Sequence, residues 1–144
     1  MESRRESGKR VLAIDPGGRR VGLAVSDELG ITAQGLDTFE TRGMDDLLDH
    51  LGALVAELGV GVVVVGEPRS LAGGDIEGTG RSRELAAAIR GRLPVAVVLV
   101  DERMTSREAE RVLAAGERRH NRKDIDRLAA VLLLQGFLDG RSGR

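Results

Sequence analysis

Cysteine, tryptophan and tyrosine are absent from this chain, and aromatic residues make up 1% of its 144 positions. Without cysteine there is no disulfide framework, no thiolate metal site and no thiol nucleophile. The core must be built from Val, Leu, Ile and Ala. Base-stacking recognition of nucleic acid lacks its aromatic platforms, so any nucleic acid would be held mainly by its backbone. No apolar run approaches the length of a membrane span, and the N-terminus has no signal-peptide core. The expectation is a soluble, cytoplasmic protein with no membrane partner. The net charge of −1 leaves no global field to attract polyanions. Lysine is scarce too: of 22 basic residues only Lys9 and Lys123 are lysine. The arginines that remain carry the planar fork that suits phosphate, although a compositionally biased genome gives the same excess and is the simpler cause.

What is present reads as one domain, residues 9–139, between a flexible polar tail over 1–8 and a polar tail over 140–144. It is organised around two strands joined by a glycine turn, from Val11 to Asp27. Val11, Ala13 and Asp15 share one face of the first strand, and Leu12 and Ile14 the other. In the second, Val21, Leu23 and Val25 alternate with Gly22, Ala24 and Ser26. Pro16 is expected to end the first strand near Asp15. Asp15 is then either a turn aspartate capping Gly17 and Gly18 or a carboxylate placed at the end of a central strand for a purpose.

Further on, Ile31 to Glu40 reads as a third strand closing a meander. Met44, Leu47, Leu48, Leu51, Leu54, Val55 and Leu58 recur at helical spacing, with Asp45 and Asp46 in the first turn and Gly59 as the stop. Val60 to Val65 is a β-branched run buried on both faces. A loop over Gly66 to Gly80, a helix from about Glu77 to Arg90 and a buried strand from Val95 to Val100 follow. Thr105-Ser106-Arg107-Glu108 has the form of a capping box opening a short helix, and the last helix runs from about Arg122 to Leu138. The order predicts an α/β fold with a mixed sheet, an antiparallel meander joined to parallel strands by crossover helices.

Three carboxylates stand at element ends. Asp15 closes the first strand, Glu102 follows the last, and Asp126 heads the apolar face Ala129, Ala130, Leu133 and Phe137 in the first turn of the last helix. A charge on such a face is costly in isolation. Several of them tolerate each other best around a hard divalent cation, and oxygen donors without cysteine point to Mg²⁺ or Mn²⁺. The matching chemistry is metal-assisted hydrolysis of a phosphodiester. Singly, each has a plainer reading: Asp126 as a dipole-favoured residue, Glu102 as a partner for Arg103.

The motifs Asp15-x-Gly17-x-x-Arg20-x-Gly22-x-Ala24-x-Ser26-Asp27, Asp101-Glu102-Arg103-x-Thr105-Ser106 and Asp126-x-x-Ala129-Ala130-x-x-Leu133-Leu134-Gln135 resemble the YqgF/RuvX family of the RNase H-like superfamily. The resemblance spans roughly residues 10–138, with the motifs in the family's order. It implies a five-stranded RNase H-like sheet flanked by helices and a nuclease of pre-16S rRNA maturation, some members being Holliday-junction-resolvase-like. It implies Asp15, Glu102 and Asp126 as catalytic and metal-binding carboxylates. One departure is Gly66-Glu67-Pro68, where the family has Gly-Leu-Pro; related resolvases use a glutamate near that strand end. Glu67 is therefore a supplementary carboxylate or a solvated loop residue, and the solvated residue is the expectation.

Candidate contacts to nucleic acid, pre-rRNA or branched DNA, are Arg19 and Arg20 in the glycine turn and the segment from Arg103 to Lys123. That segment contributes Arg103, Arg118, Arg119, Arg122 and Lys123, with Thr105 and Ser106 as donors at a helix N-terminus. His50 and His120 lack partners at ligand spacing and read as surface residues. Rival functions are a structure-selective endonuclease on branched DNA, an ATPase-like phosphate-binding lobe, for which one 144-residue domain is too small, and a non-catalytic nucleic-acid-binding module. RNA against DNA, endo- against exonuclease action, and monomer against homodimer stay open at this point.

Overall fold

Gly18, at a backbone φ of 72°, reverses the chain. It lets β1 (Arg10–Gly17) and β2 (Arg20–Ser26) pair antiparallel, from Gly17 opposite Arg20 to Leu12 opposite Val25. The computed structural model describes residues 9–68, 78–101 and 122–141. After the hairpin come β3 (Ala33–Glu40), α1 (Met44–Leu58), β4 (Val60–Glu67), α2 (Thr79–Arg92), β5 (Ala96–Asp101) and the C-terminal helix α3 (Arg122–Arg141). The strands form one five-stranded sheet in the order β3-β2-β1-β4-β5. β1 and β2, and β2 and β3, are antiparallel; β4 runs parallel to both β1 and β5. This is the mixed sheet predicted from the order of elements, with the five strands that the family resemblance implies.

Alternation along the strands divides the core in two. Leu12, Ile14, Val21, Leu23, Val63 and Val65 pack under α1 and α2, against Leu47, Leu51, Leu85 and Ile89. Val11, Ala13, Ala24 and Val64 pack under α3, against Ala130, Leu133, Leu134 and Leu138. Leu134 and Leu138 are fully buried, a burial that contributes about 1.5–3 kcal/mol for each such side chain. The apolar stripe read on the last helix is thus the surface that seats it on the sheet.

Several boundaries differ from the sequence reading. β1 continues through Pro16, because it pairs with β2 as far as Gly17 but with β4 only as far as Ile14. Beyond Ile14 it is an edge on that side, where a strand tolerates proline. β3 begins at Ala33 rather than Ile31, since the N–H groups of Ile31 and Thr32 both donate to Asp27 Oδ1, at 2.8 and 3.1 Å. Those bonds close the β2–β3 turn and hold the Asp27 carboxyl below the usual carboxylate range. β4 and β5 end one to two residues later than expected, because their ladder runs on to Glu67 opposite Asp101. α2 starts at Thr79, after Gly78 in a left-handed conformation at φ 97°, and α3 extends two residues into the stretch read as a tail. The flexible tail expected over 1–8 and the short helix expected after Thr105 lie outside the described residues.

Candidate active site

Asp15 lies opposite Gly22 in the β1–β2 ladder. It is a strand residue, 9% exposed, rather than the cap of a turn. Alternation puts it on the same face as Val11 and Ala13, beneath α3. Gly22 shares that face with Ala24. A Cβ added to Gly22 would stand 2.8 Å from the backbone carbonyl carbon of Asp126 and closer still to its oxygen, with Ala130 Cβ at 3.5 Å. Gly22 is therefore the point where the α3 backbone touches the sheet. The chain of contacts runs from Asp15 to Gly22 to Asp126 and brings two of the three expected carboxylates to neighbouring backbones at the carboxyl end of the central strand.

Asp126 falls just past the first turn of α3, which carries Asp124 instead, beyond the reach at which the helix dipole favours a carboxylate most. Its carboxylate meets Arg20, whose Nε donates to Asp126 Oδ2 at 3.1 Å. Both side chains are half-buried, 36% and 21% exposed. Arg20 was expected to contact nucleic acid; in the structure its guanidinium is engaged on the candidate site's own carboxylate. Two further clamps hold α3 in place. Arg127 donates from Nε to Leu36 O and reaches Asp37, both at 3.0 Å, and its stem packs where Gly35 has no side chain. Gln135 accepts from Ala33 N and donates to Ile31 O.

Glu67 departs from expectation. It is the last residue of β4, 7% exposed, not a solvated loop residue. It follows Val63 and Val65 in alternation, which places it toward α2, and Arg83 of α2 donates to its Oε2. Pro68 O next to it accepts from the Thr79 hydroxyl at the start of the same helix. Asp15 and Glu67 thus occupy opposite faces of the sheet. His50, expected at the surface, is partly buried. Its ring stacks on Phe39, centroids 4.0 Å apart and planes within 7°. Burial pushes its pKa below the usual imidazole range, against an opposing pull from Asp46.

Arg19 is exposed in the β1–β2 turn and lines an open groove with Glu40 and Arg42. Lys123 is exposed, and its backbone carbonyl accepts from Thr38 Oγ1 at 3.0 Å. The backbone of Arg122 opens α3. Glu102, Arg103, Thr105, Ser106, Arg118, Arg119 and His120 lie outside the described residues.

Among the described residues no three His, Cys, Asp or Glu side chains are grouped to hold a metal. The donor chemistry at Asp15 and Asp126 nevertheless fits a hard cation: two carboxylate side chains, oxygen donors of the kind such a cation takes. The role of Gly22 was missed from the sequence. The signal was there, a glycine among small residues on the strand face that carries Ala24, but its contact is a helix more than 100 positions away.

A family model described as "RuvX: Holliday junction resolvase" matches residues 9–140. A protein of Dictyoglomus thermophilum named "Putative pre-16S rRNA nuclease" is 43% identical over 135 residues, covering 92% of this chain and 97% of its own length. One of the same name from Koribacter versatilis is 44% identical over 134 residues, covering 92% and 88%. Among solved structures, RuvC of T. thermophilus in complex with a Holliday junction substrate superposes with a TM-score of 0.60 at 18% identity, covering 93% of this chain and 96% of that one. The fowlpox virus resolvase bound to Holliday junction DNA gives 0.57 at 9% identity, covering 92% and 98%. Those two likenesses establish the shared fold, whose strands and helices are the ones described above. With motifs, sheet order and a match over nearly the whole length in agreement, the chain belongs to the RuvX family.

Proposed function

We propose that the chain is a cytoplasmic nuclease that hydrolyses phosphodiester bonds at the 5′ end of precursor 16S rRNA, with Asp15, Glu102 and Asp126 as its catalytic carboxylates. The observation that carries this reading is the mounting of Asp126 on Gly22, directly beside Asp15. Two acids on one face of the sheet, at the carboxyl end of its central strand, are where an open α/β sheet places a ligand. The names of the relatives supply the substrate.

Asp15 and Asp126, with Glu102, would hold Mg²⁺ or Mn²⁺. Such a cation, when bound, supplies a polarised phosphate oxygen and a water acidic enough to attack at neutral pH. The protein's part is placement. The central strand fixes Asp15, where burial keeps bulk water away from its carboxylate. The contact at Gly22 sets the depth of Asp126, and Arg127 and Gln135 fix the helix that bears it. Arg19 and Lys123, both exposed, together with Arg103, Arg118, Arg119 and Arg122, are the proposed backbone contacts, and Thr105 and Ser106 the proposed donors to phosphate. No described helix is long and apolar enough to cross a membrane.

A second reading, cleavage of branched DNA, draws on the description of the family model. The position of Glu67 weighs against it. The residue that most resembles the additional resolvase carboxylate is engaged by Arg83 on the other face of the sheet. Cleavage of a precursor 16S rRNA fragment and of a four-way DNA junction, measured side by side with Mn²⁺, separates the two. The RNA should be cut at its unprocessed 5′ end and the junction should stay intact. Cleavage of the junction alone would replace this reading with the second one.

A further inference from the structure

We infer that Arg20 is the built-in counter-ion of the cation site, a positioning residue that holds Asp126 in the cation-free protein and competes with the cation for it. This rests on the reading of Asp126 as a cation ligand. Two carboxylates brought to neighbouring backbones in a partly desolvated place repel each other. A guanidinium, that of Arg20, stands on one of the two, Asp126. Arg20 stands at the start of β2, two residues before Gly22, so its Cα lies on the same strand face as the glycine on which Asp126 rests. Its Nε meets Asp126 Oδ2 at 3.1 Å, a contact that spans 106 positions of sequence.

The consequence follows from charge alone. A cation that takes Asp126 must do so beside a fixed positive charge, or displace it. At a half-exposed site the repulsion between them is worth at least about a factor of ten in affinity. Arg20 therefore holds Asp126 in place when no cation is bound and, by the same interaction, weakens cation binding in the absence of substrate. A substrate phosphate brings the negative charge that offsets Arg20, so cation and substrate bind more tightly together than apart.

The test is Mn²⁺ binding to the full chain by isothermal titration calorimetry, without nucleic acid. Arg20→Gln should lower the Mn²⁺ dissociation constant by about tenfold, and Arg20→Ala should repeat the shift should the glutamine variant fold poorly. Arg20→Lys, which keeps the charge, should stay within about twofold of the parent, since a point charge remains beside Asp126. A residue that served packing alone would weaken or leave unchanged the binding when neutralised, and that result would overturn the inference. An equal tightening by Arg20→Lys would overturn it as well. Asp126→Asn is the control for the reading beneath it. Loss of Mn²⁺ binding in Asp126→Asn with no change in Arg20→Gln removes the counter-ion role and leaves the site. Unchanged binding in Asp126→Asn removes both.

Discussion

The backbone carbonyl of Asp126 occupies the space that a side chain on Gly22 would need, so the last helix of the chain rests on the second strand at the residue that carries a candidate catalytic acid. A methyl group there must push α3 outward, since the opposing atoms are backbone. Gly22→Ala is expected to destabilise the fold by about 1–3 kcal/mol, the usual range for overpacking, and to displace Asp126 from Asp15. Denaturant unfolding checks the first effect, and cleavage rate under conditions where the variant remains folded checks the second. Full activity in a folded Gly22→Ala protein would mean that the depth of α3 is not what sets the site.

Glu67 and Arg83 form a pair in which only the acid is buried, 9% against 45% side-chain exposure. The two halves of the pair should therefore respond unequally to removal. Arg83→Ala strips a charged partner from a buried carboxylate and should cost about 1–3 kcal/mol. Glu67→Leu leaves an arginine that can reach solvent and should cost less. Because Glu67 sits on the α2 face, Glu67→Leu should also leave the Mn²⁺ midpoint of cleavage where it is. A shifted midpoint would restore Glu67 as a supplementary ligand, and a collapsed maximal rate would make it essential.

His50, stacked on Phe39 and partly buried, has its pKa lowered from 6.5 by desolvation. The unfolded chain then binds a proton at higher pH than the folded one. The stabilisation is complete above pH 6.5 and is lost as pH falls from there through the lower folded value. Unfolding free energy measured from about pH 8 to about pH 5 should fall on the acid side, and His50→Phe should flatten that part of the curve. Identical slopes for the two proteins would remove His50 as the cause.

If the segment from Arg103 to Lys123 follows the substrate backbone, reversing charge at Arg118 and Arg119 should weaken binding for all sequences alike. The slope of log K against log salt should then fall in magnitude by about one for every phosphate that is no longer neutralised. An unchanged slope would place the nucleic acid elsewhere on the surface.

Much of this architecture is legible in the chain. The alternation of Val11 to Asp15 assigns Asp15 to the face covered by α3, and Ala129, Ala130 and Leu133 mark the surface that covers it. Val60 to Val65 reads as a strand buried on both faces because Val63 and Val65 pack under α1 and α2 while Val64 packs under α3. What is not legible depends on register or on distant partners. Glu67 looks like a loop residue until two further rungs of the ladder carry β4 past Val65 and bring Asp101 opposite. His50 has no partner at helical spacing because its partner, Phe39, belongs to another element. The arginine of the first motif reads as a phosphate contact, since nothing local shows that Asp126 is within its reach. Tertiary contact, not propensity, decides all three.

The central claim is that Asp15 and Asp126 belong to one hydrolytic site, and the most direct test is cleavage of precursor 16S rRNA with Mn²⁺ by the parent chain, Asp15→Asn and Asp126→Asn. Each substitution is nearly isosteric and removes only a charge, so the variants should melt close to the parent. Groups that act as one unit are each indispensable. Either change alone should lower the rate by roughly 10³-fold or more, and the double variant should be no worse than the single ones. Undiminished cleavage by purified, folded Asp15→Asn or Asp126→Asn would contradict the claim.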